Sequence, residues 1–196
     1  MSDLQYQQIE RDRQSRATSW RLAGLSKKYV TLAEQAGRMT EIPYRPAGYS
    51  TLTPFLCVSD GAAAIDFYCA VFGATVVSRM NLPDGRVAHA ELQLEDGRLQ
   101  LGDAMAEYGL VAPTEGPVTG SIAIYVPDVD ATTKLAADRG ATVREQPSTF
   151  VTGDRYASVL DPYGHRWSIM TRVEDVSDEE AERRVAEWAA TEMSSS

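Results

Sequence analysis

Histidine and cysteine are both scarce in this chain, with two of each among 196 residues. The two cysteines, Cys57 and Cys69, suggest neither a disulfide framework nor a zinc site by their spacing. A reduced, cytoplasmic compartment is the simplest reading of that usage. The two histidines, His89 and His165, are too few for a His-rich site. Basic residues are outnumbered, 19 Lys and Arg against 28 Asp and Glu, for a net charge of −9. That balance argues against a nucleic-acid partner, whose phosphates need Lys and Arg. It permits a cationic small ligand and otherwise aids solubility. No apolar run approaches the length of a membrane span. The N-terminus carries no hydrophobic signal-peptide core. A Walker loop, Gly-x-Gly-x-x-Gly, Gly-x-Ser-x-Gly and Cys-x-x-Cys are all absent.

What the chain does have is a repeat. Residues 52–102 and 119–171 share one order of elements. Each copy opens with an apolar strand ending in an acidic turn, Leu52-Thr-Pro-Phe-Leu-Cys-Val-Ser-Asp60 and Gly120-Ser-Ile-Ala-Ile-Tyr-Val-Pro-Asp128. Each continues with a helix that stops at Gly-Ala-Thr-Val, at Gly73 and at Gly140. Each closes with two strands joined by a glycine turn, Glu95-Asp-Gly-Arg98 and Asp161-Pro-Tyr-Gly-His165. A duplication of this kind fixes the architecture before single residues are weighed. The expectation is an α+β fold: two βαβββ modules form a curved mixed sheet around a cleft, with the helices outside.

The domain organisation follows from the same pattern. Residues 1–48 read as an N-terminal extension, 49–173 as the duplicated domain, and 174–196 as a C-terminal helix and tail. Leu22, Leu25, Tyr29 and Leu32 lie at helical spacing, so Thr18–Gln35 reads as an amphipathic helix. Met39 also looks like a natural start, which makes residues 1–38 either an added helix or an artefact of start-site assignment. The first module's helix spans about Ala62–Phe72, with Ala64, Ile65, Tyr68 and Phe72 inward. The second spans about Val129–Arg139, with Leu135 and Ala136 inward. Glu107–Val118 reads as a surface loop. Ser177 with Glu180 makes a capping box for the last helix, which Val185 and Trp188 dock.

Strand alternation sorts side chains into two faces. Leu56 and Val58 go under the helix, and Thr53, Phe55 and Cys57 to the cleft. Ile122, Ile124 and Val126 go under, and Ser121, Ala123 and Tyr125 to the cleft. The strand from Arg86 to Leu94 sends Val87, His89, Glu91 and Gln93 to the cleft. Tyr156 and Ser158, Arg98 and Gln100, and Arg166 and Ser168 join them. Leu99, Leu101, Trp167 and Ile169 point inward.

The segments Thr53-Pro-Phe-Leu-Cys-Val-Ser-Asp60, Ala64-Ile-Asp-Phe-Tyr68, Phe72-Gly-Ala74, His89-Ala-Glu-Leu92 and Asp161-Pro-Tyr-Gly-His-Arg-Trp167 carry a resemblance. Over residues 50–172 the chain resembles the vicinal oxygen chelate superfamily of glyoxalases, extradiol dioxygenases, fosfomycin-resistance transferases and bleomycin-binding proteins. It is most similar to the PhnB-like branch. The resemblance implies a divalent metal held by one residue from the first and last strand of each module, usually His or Glu. Those positions here are Thr53, Gln100, Ser121 and Ser168. Neutral hydroxyls and one amide are poor ligands for such a metal. The expectation is therefore no metal and no other cofactor.

The resulting functional expectation is a metal-independent protein that binds a drug or metabolite. Phe55, Cys57, Gln100, Tyr125, Tyr156, Ser158 and Ser168 are its candidate ligand contacts. The alternative is a glyoxalase-type lyase, isomerase or dioxygenase with His89 and Glu91 as an acid–base pair. The bland reading of that pair is a polar strand face with a hydrogen-bonded histidine. His165 reads as a turn residue or a partner of Asp161. Arg155 reads as free to meet an acidic ligand or solvent. Expected partners are a small molecule and a second copy in a homodimer, with neither nucleic acid nor membrane.

Overall fold

The structure, a computed structural model, describes residues 42–194. The helix expected over Thr18–Gln35 lies outside them. Ala47 begins a compact unit that runs on to the C-terminus, and residues 42–46 belong to a separate one.

The first module is β1 (Phe55–Val58), α1 (Gly61–Phe72), β2 (Thr75–Asn81), β3 (Val87–Gln93) and β4 (Arg98–Asp103). The second is β5 (Ser121–Tyr125), α2 (Val129–Asp138), β6 (Thr142–Thr149), β7 (Asp154–Leu160) and β8 (Arg166–Arg172). A final helix, α3, spans Asp178–Ser194. The sheets are separate, four strands each, ordered β1-β4-β3-β2 and β5-β8-β7-β6. In both, the first strand runs parallel to the last and the other pairs are antiparallel. The βαβββ duplication read from the sequence is thus the fold. No described helix is long and apolar enough to cross a membrane.

The acidic residue ending each opening strand has a local reason. Asp60 accepts from the Ala63 backbone N–H at 3.0 Å, and Asp128 from that of Ala131 at 2.9 Å. Each carboxylate satisfies one of the unpaired donors at a helix start. Gly73 and Gly140 end these helices at φ +67° and +95°. Ser177 caps α3 through the Glu180 N–H at 3.3 Å. The Glu180 side chain does not complete the box; it turns to Arg183 and Arg184 instead. The link between the modules, expected to be a plain loop, carries a 3₁₀ turn at Ala106–Tyr108.

Two face assignments, one inward and one toward the cleft, are corrected. The inward face of α2 is Val129, Thr133 and Ala136, while Leu135 is 37% exposed. Spacings of four and three residues keep those three on one stripe, and Leu135 falls a hundred degrees off it. Val87 does not face the cleft; it is fully buried. Along β3, Met80 pairs with His89 but Asn81 pairs with Val87, so Ala88 is an extra residue. Such a bulge reverses the alternation beyond it. Asp103 fixes the turn-in by accepting from the Val87 N–H at 2.6 Å and the Gly61 N–H at 2.8 Å.

The modules meet in an aromatic seam. Trp167, fully buried on β8, lies 4.6 Å from Phe72 and 5.4 Å from Tyr68 of α1, centroid to centroid. Phe67, absent from the expected stripe, packs here too, against Tyr68, Phe72 and Tyr163. Asp161 is buried at its centre. One of its oxygens accepts from the Tyr68 hydroxyl (2.7 Å) and the Trp167 indole N–H (2.9 Å). The other accepts from the Tyr163 and His165 backbone N–H groups, both at 2.9 Å. His165 adds a second tie across the modules, because its ring Nε2 sits 2.9 Å from the Cys57 carbonyl. The side chain thus serves Cys57, while the His165 backbone serves Asp161, its N–H donating to the carboxylate and its carbonyl accepting from the Asp161 N–H at 2.9 Å.

At the other end, α3 docks on the β6–β7 turn. The Gly153 carbonyl accepts from Val173 and Glu174 at 2.9 and 3.0 Å. Arg184 reaches back to Glu174 with two contacts of 2.8 Å. Trp188 meets Phe150 edge to face at 5.3 Å.

Candidate functional site

Strand register places the four positions where relatives would carry metal ligands. Phe55 pairs with Gln100 in β1–β4, and Ala123 with Ser168 in β5–β8. Thr53 and Ser121 each lie two residues earlier, so they occupy equivalent places. Ser121 and Ser168 hydrogen-bond to each other, with 2.8 Å between their Oγ atoms. Gln100 gives its amide N–H to Glu91 Oε1 at 3.2 Å. Among the described residues, no three of His, Cys, Asp or Glu gather in a way that could hold a metal ion.

In the first module Glu91 is a hub. Arg98 Nη1 lies 3.0 Å from its Oε2, and His89 Nε2 lies 3.5 Å from its Oε1. Tyr49 also hydrogen-bonds to it. The Arg98 guanidinium sits 4.4 Å above the Tyr49 ring, a cation–π arrangement. The Phe55 ring stacks on His89 at 6.0 Å. The Tyr49 hydrogen bond, against the opposing effect of burial, holds the Glu91 carboxyl below its ordinary range; His89, Gln100 and Arg98 add to it.

The sign of the pH effect follows. Stability from an ionised Glu91 is complete above the ordinary carboxylate pKa of about 4.3, and is lost as pH falls through the lowered folded value. Glu91→Gln is expected to cost about 1–2 kcal/mol at neutral pH, the scale of a charge-assisted hydrogen bond. It is also expected to flatten part of the acid limb. Urea midpoints between pH 6 and 3 measure both, and an unchanged acid limb in the variant would sink the assignment.

The second module presents a different network. Arg166 donates from Nε to Ser158 Oγ at 2.9 Å and from Nη2 to Glu145 at 2.6 Å. Tyr156 donates to the same Glu145 oxygen at 3.2 Å. Ser158 is fully buried beneath Arg166. Tyr125 stands 58% exposed, its hydroxyl 3.4 Å from Asp154. Cys57 is half-buried, and burial, followed by the Asp103 charge, raises its thiol pKa. Arg155 is not free for a ligand; it forms a two-pronged pair with Asp130, both contacts 2.6 Å.

Among the described residues, the two larger cavities lie where the modules adjoin. One, of about 770 Å³, includes Phe55, Ser121, Ile122, His165 and Arg166 in its lining. The other, of about 610 Å³, includes Arg98, Ala123, Tyr125 and the acidic pair Glu95 and Asp96. Both fall within the usual range for small-molecule pockets. Of the expected contacts, Phe55 and Tyr125 line these spaces. His89, Glu91 and Gln100 group with Arg98 and Tyr49, and Tyr156, Ser158 and Ser168 lie on the facing strands of the second module. Arg98 and Arg166 were legible as cleft-facing but not as members of a site. The signal was in the repeat: each precedes by two residues an aligned ligand position, Gln100 or Ser168.

This is the architecture of a paired βαβββ-module fold, and residues 50–169 match one family in particular. The chain belongs to the Glyoxalase/Bleomycin resistance protein/Dioxygenase superfamily. It is 36% identical over 151 residues to an uncharacterized protein of Mycobacterium tuberculosis, covering 75% of this chain and 86% of that one. An uncharacterized protein of Mycobacterium bovis is 38% identical over 133 residues, covering 66% and 88%. Among solved structures, TioX from Micromonospora sp. ML1 matches with a TM-score of 0.51 and 24% identity, over 63% of this chain and 98% of that one. At that identity the likeness speaks for the fold alone.

Proposed function

We propose that this chain binds a small organic molecule between its two modules, without a metal ion. The observation that carries the reading is the state of the four aligned ligand positions. Ser121 and Ser168 spend their hydroxyls on each other, and Gln100 spends its amide on Glu91. A divalent ion needs anionic or imidazole donors with an open position for substrate. Here all four donors are neutral, and three of them, Gln100, Ser121 and Ser168, are already partnered. What remains is space walled by apolar and aromatic groups, with a few polar side chains to orient a ligand.

The expected outcome has two parts. Protein purified without chelator should carry no stoichiometric divalent metal by elemental analysis. Titration calorimetry against planar aromatic compounds should find binding, weakened at least tenfold by Phe55→Ala. Stoichiometric metal, or no binding across the panel, would overturn the reading.

One observation favours a second reading. His89 is held between the Phe55 ring and the Glu91 carboxylate. A carboxylate orienting an imidazole is the arrangement of a general base. Turnover of hemithioacetal or catechol substrates that His89→Gln abolishes would favour this enzyme reading over simple binding.

A further inference from the structure

We infer that the ligand of this cleft is an apolar, preferably aromatic, molecule bearing an anionic group, and that Arg166 reads its charge. The inference rests on the reading of the space between the modules as a small-molecule site. It starts from a mismatch of charge. The chain carries 28 acidic residues and a net charge of −9, yet among the described residues no Asp or Glu lines the cavity of about 770 Å³. Its walls include Phe55, Leu56, Val111, Pro113 and Ile122, and among the described residues its one permanently charged side chain is Arg166. The acidic balance of the whole chain permits a cationic ligand; the lining of this cavity points the other way.

The geometry of Arg166 sets it up for the task. Its Nε is fixed by buried Ser158 at 2.9 Å, and its Nη2 by Glu145 at 2.6 Å and the Tyr156 hydroxyl at 3.4 Å. Its Nη1 has no partner among the described residues, so two N–H donors are left over. A guanidinium held on some of its donors loses little freedom when another binds a carboxylate. Glu145 offsets part of the charge, but it is half exposed, so water screens it. His165 is the other titratable group in the lining. The Cys57 carbonyl near its Nε2 can only accept, so Nε2 carries the proton and the ring is fixed in place.

The test uses one scaffold in three charge states. 2-Naphthoate, 2-naphthamide and 2-naphthylmethylammonium are titrated into the full chain at pH 7.4 by calorimetry. Naphthoate is expected to bind about tenfold more tightly than the amide, the worth of one charge-assisted hydrogen bond in a partly wet site. Arg166→Gln should remove that margin and leave the amide's affinity in place. Arg166→Lys, which keeps the charge but not the fork, should retain part of it. Equal binding of all three probes, tightest binding of the cation, or a margin that survives Arg166→Gln would each overturn the inference and leave the binding function standing. The cation winning would point instead to Glu95 and Asp96 at the neighbouring cavity. Failure of every probe to bind would overturn the underlying reading along with it.

Discussion

Asp161→Ala is expected to cost about 4 kcal/mol of stability and lower the melting temperature by roughly 10 °C. The carboxylate is 3% exposed and receives four hydrogen bonds. Its removal leaves the Tyr68 hydroxyl and the Trp167 indole N–H without an acceptor in a fully buried seam. Each stranded buried donor costs about 1–3 kcal/mol, and neighbours do not simply add. Tyr68 stays a donor at any working pH, because burial, and then the Asp161 charge, push its phenol far above the ordinary range. Asp161→Asn keeps the shape but sets an amide NH₂ against two donors, so it should recover little. Tyr68→Phe takes one donor from the carboxylate but leaves that oxygen accepting from Trp167, so it should cost less, about 1.5–3 kcal/mol. Urea unfolding of the three variants separates these cases. A loss below about 1 kcal/mol for Asp161→Ala would mean the seam is held by apolar packing alone.

Gly153→Val is the second large effect, and it should be local. Gly153 sits at φ +90°, a region that a β-branched residue scarcely enters. A Cβ there would stand 2.5 Å from the Glu174 carbonyl oxygen and 2.9 Å from Val176 Cγ2. The first is backbone and cannot move aside without breaking the bonds Val173 and Glu174 donate to Gly153. A loss of about 2–4 kcal/mol is expected from backbone strain and displaced contacts together. Because the clash lies at residues 174–176, the segment leading into α3 should give way first. Hydrogen exchange should therefore rise across 178–190 while β3, β4, β7 and β8 keep their protection, and Trp188 should lose its contact with Phe150. Uniform loss of protection across the chain would contradict this division.

The sequence carried most of the fold because the duplication made each module a check on the other. Asp60 and Asp128 stand at matching places, and both cap helices. Leu99, Leu101, Trp167 and Ile169 alternate as expected and are buried. The failures come from features that alternation and spacing do not encode. One extra residue at Ala88 changes the parity of β3 and turns Val87 inward. In α2, Leu135 was expected inward, yet the stripe runs through Thr133. Arg155 and His165 were read by their neighbours in sequence, but their side-chain partners, Asp130 and the Cys57 carbonyl, are 25 and 108 residues away. The candidate site was legible as a set of aligned positions. The hydrogen bonds that occupy those positions were not, because they depend on which strands adjoin.

The aromatic seam belongs to neither half of the duplication. Its acid comes from the second copy and the hydroxyl donor to that acid from the first. Separated at the Glu107–Val118 link, the first half would show Tyr68 and Phe72 to water, and the second would hold a carboxylate short of one of its four donors. Each piece would be complementary to the other and incomplete alone. In that sense the chain is a tethered heterodimer of its own halves. The tether supplies proximity, and Asp161 supplies recognition.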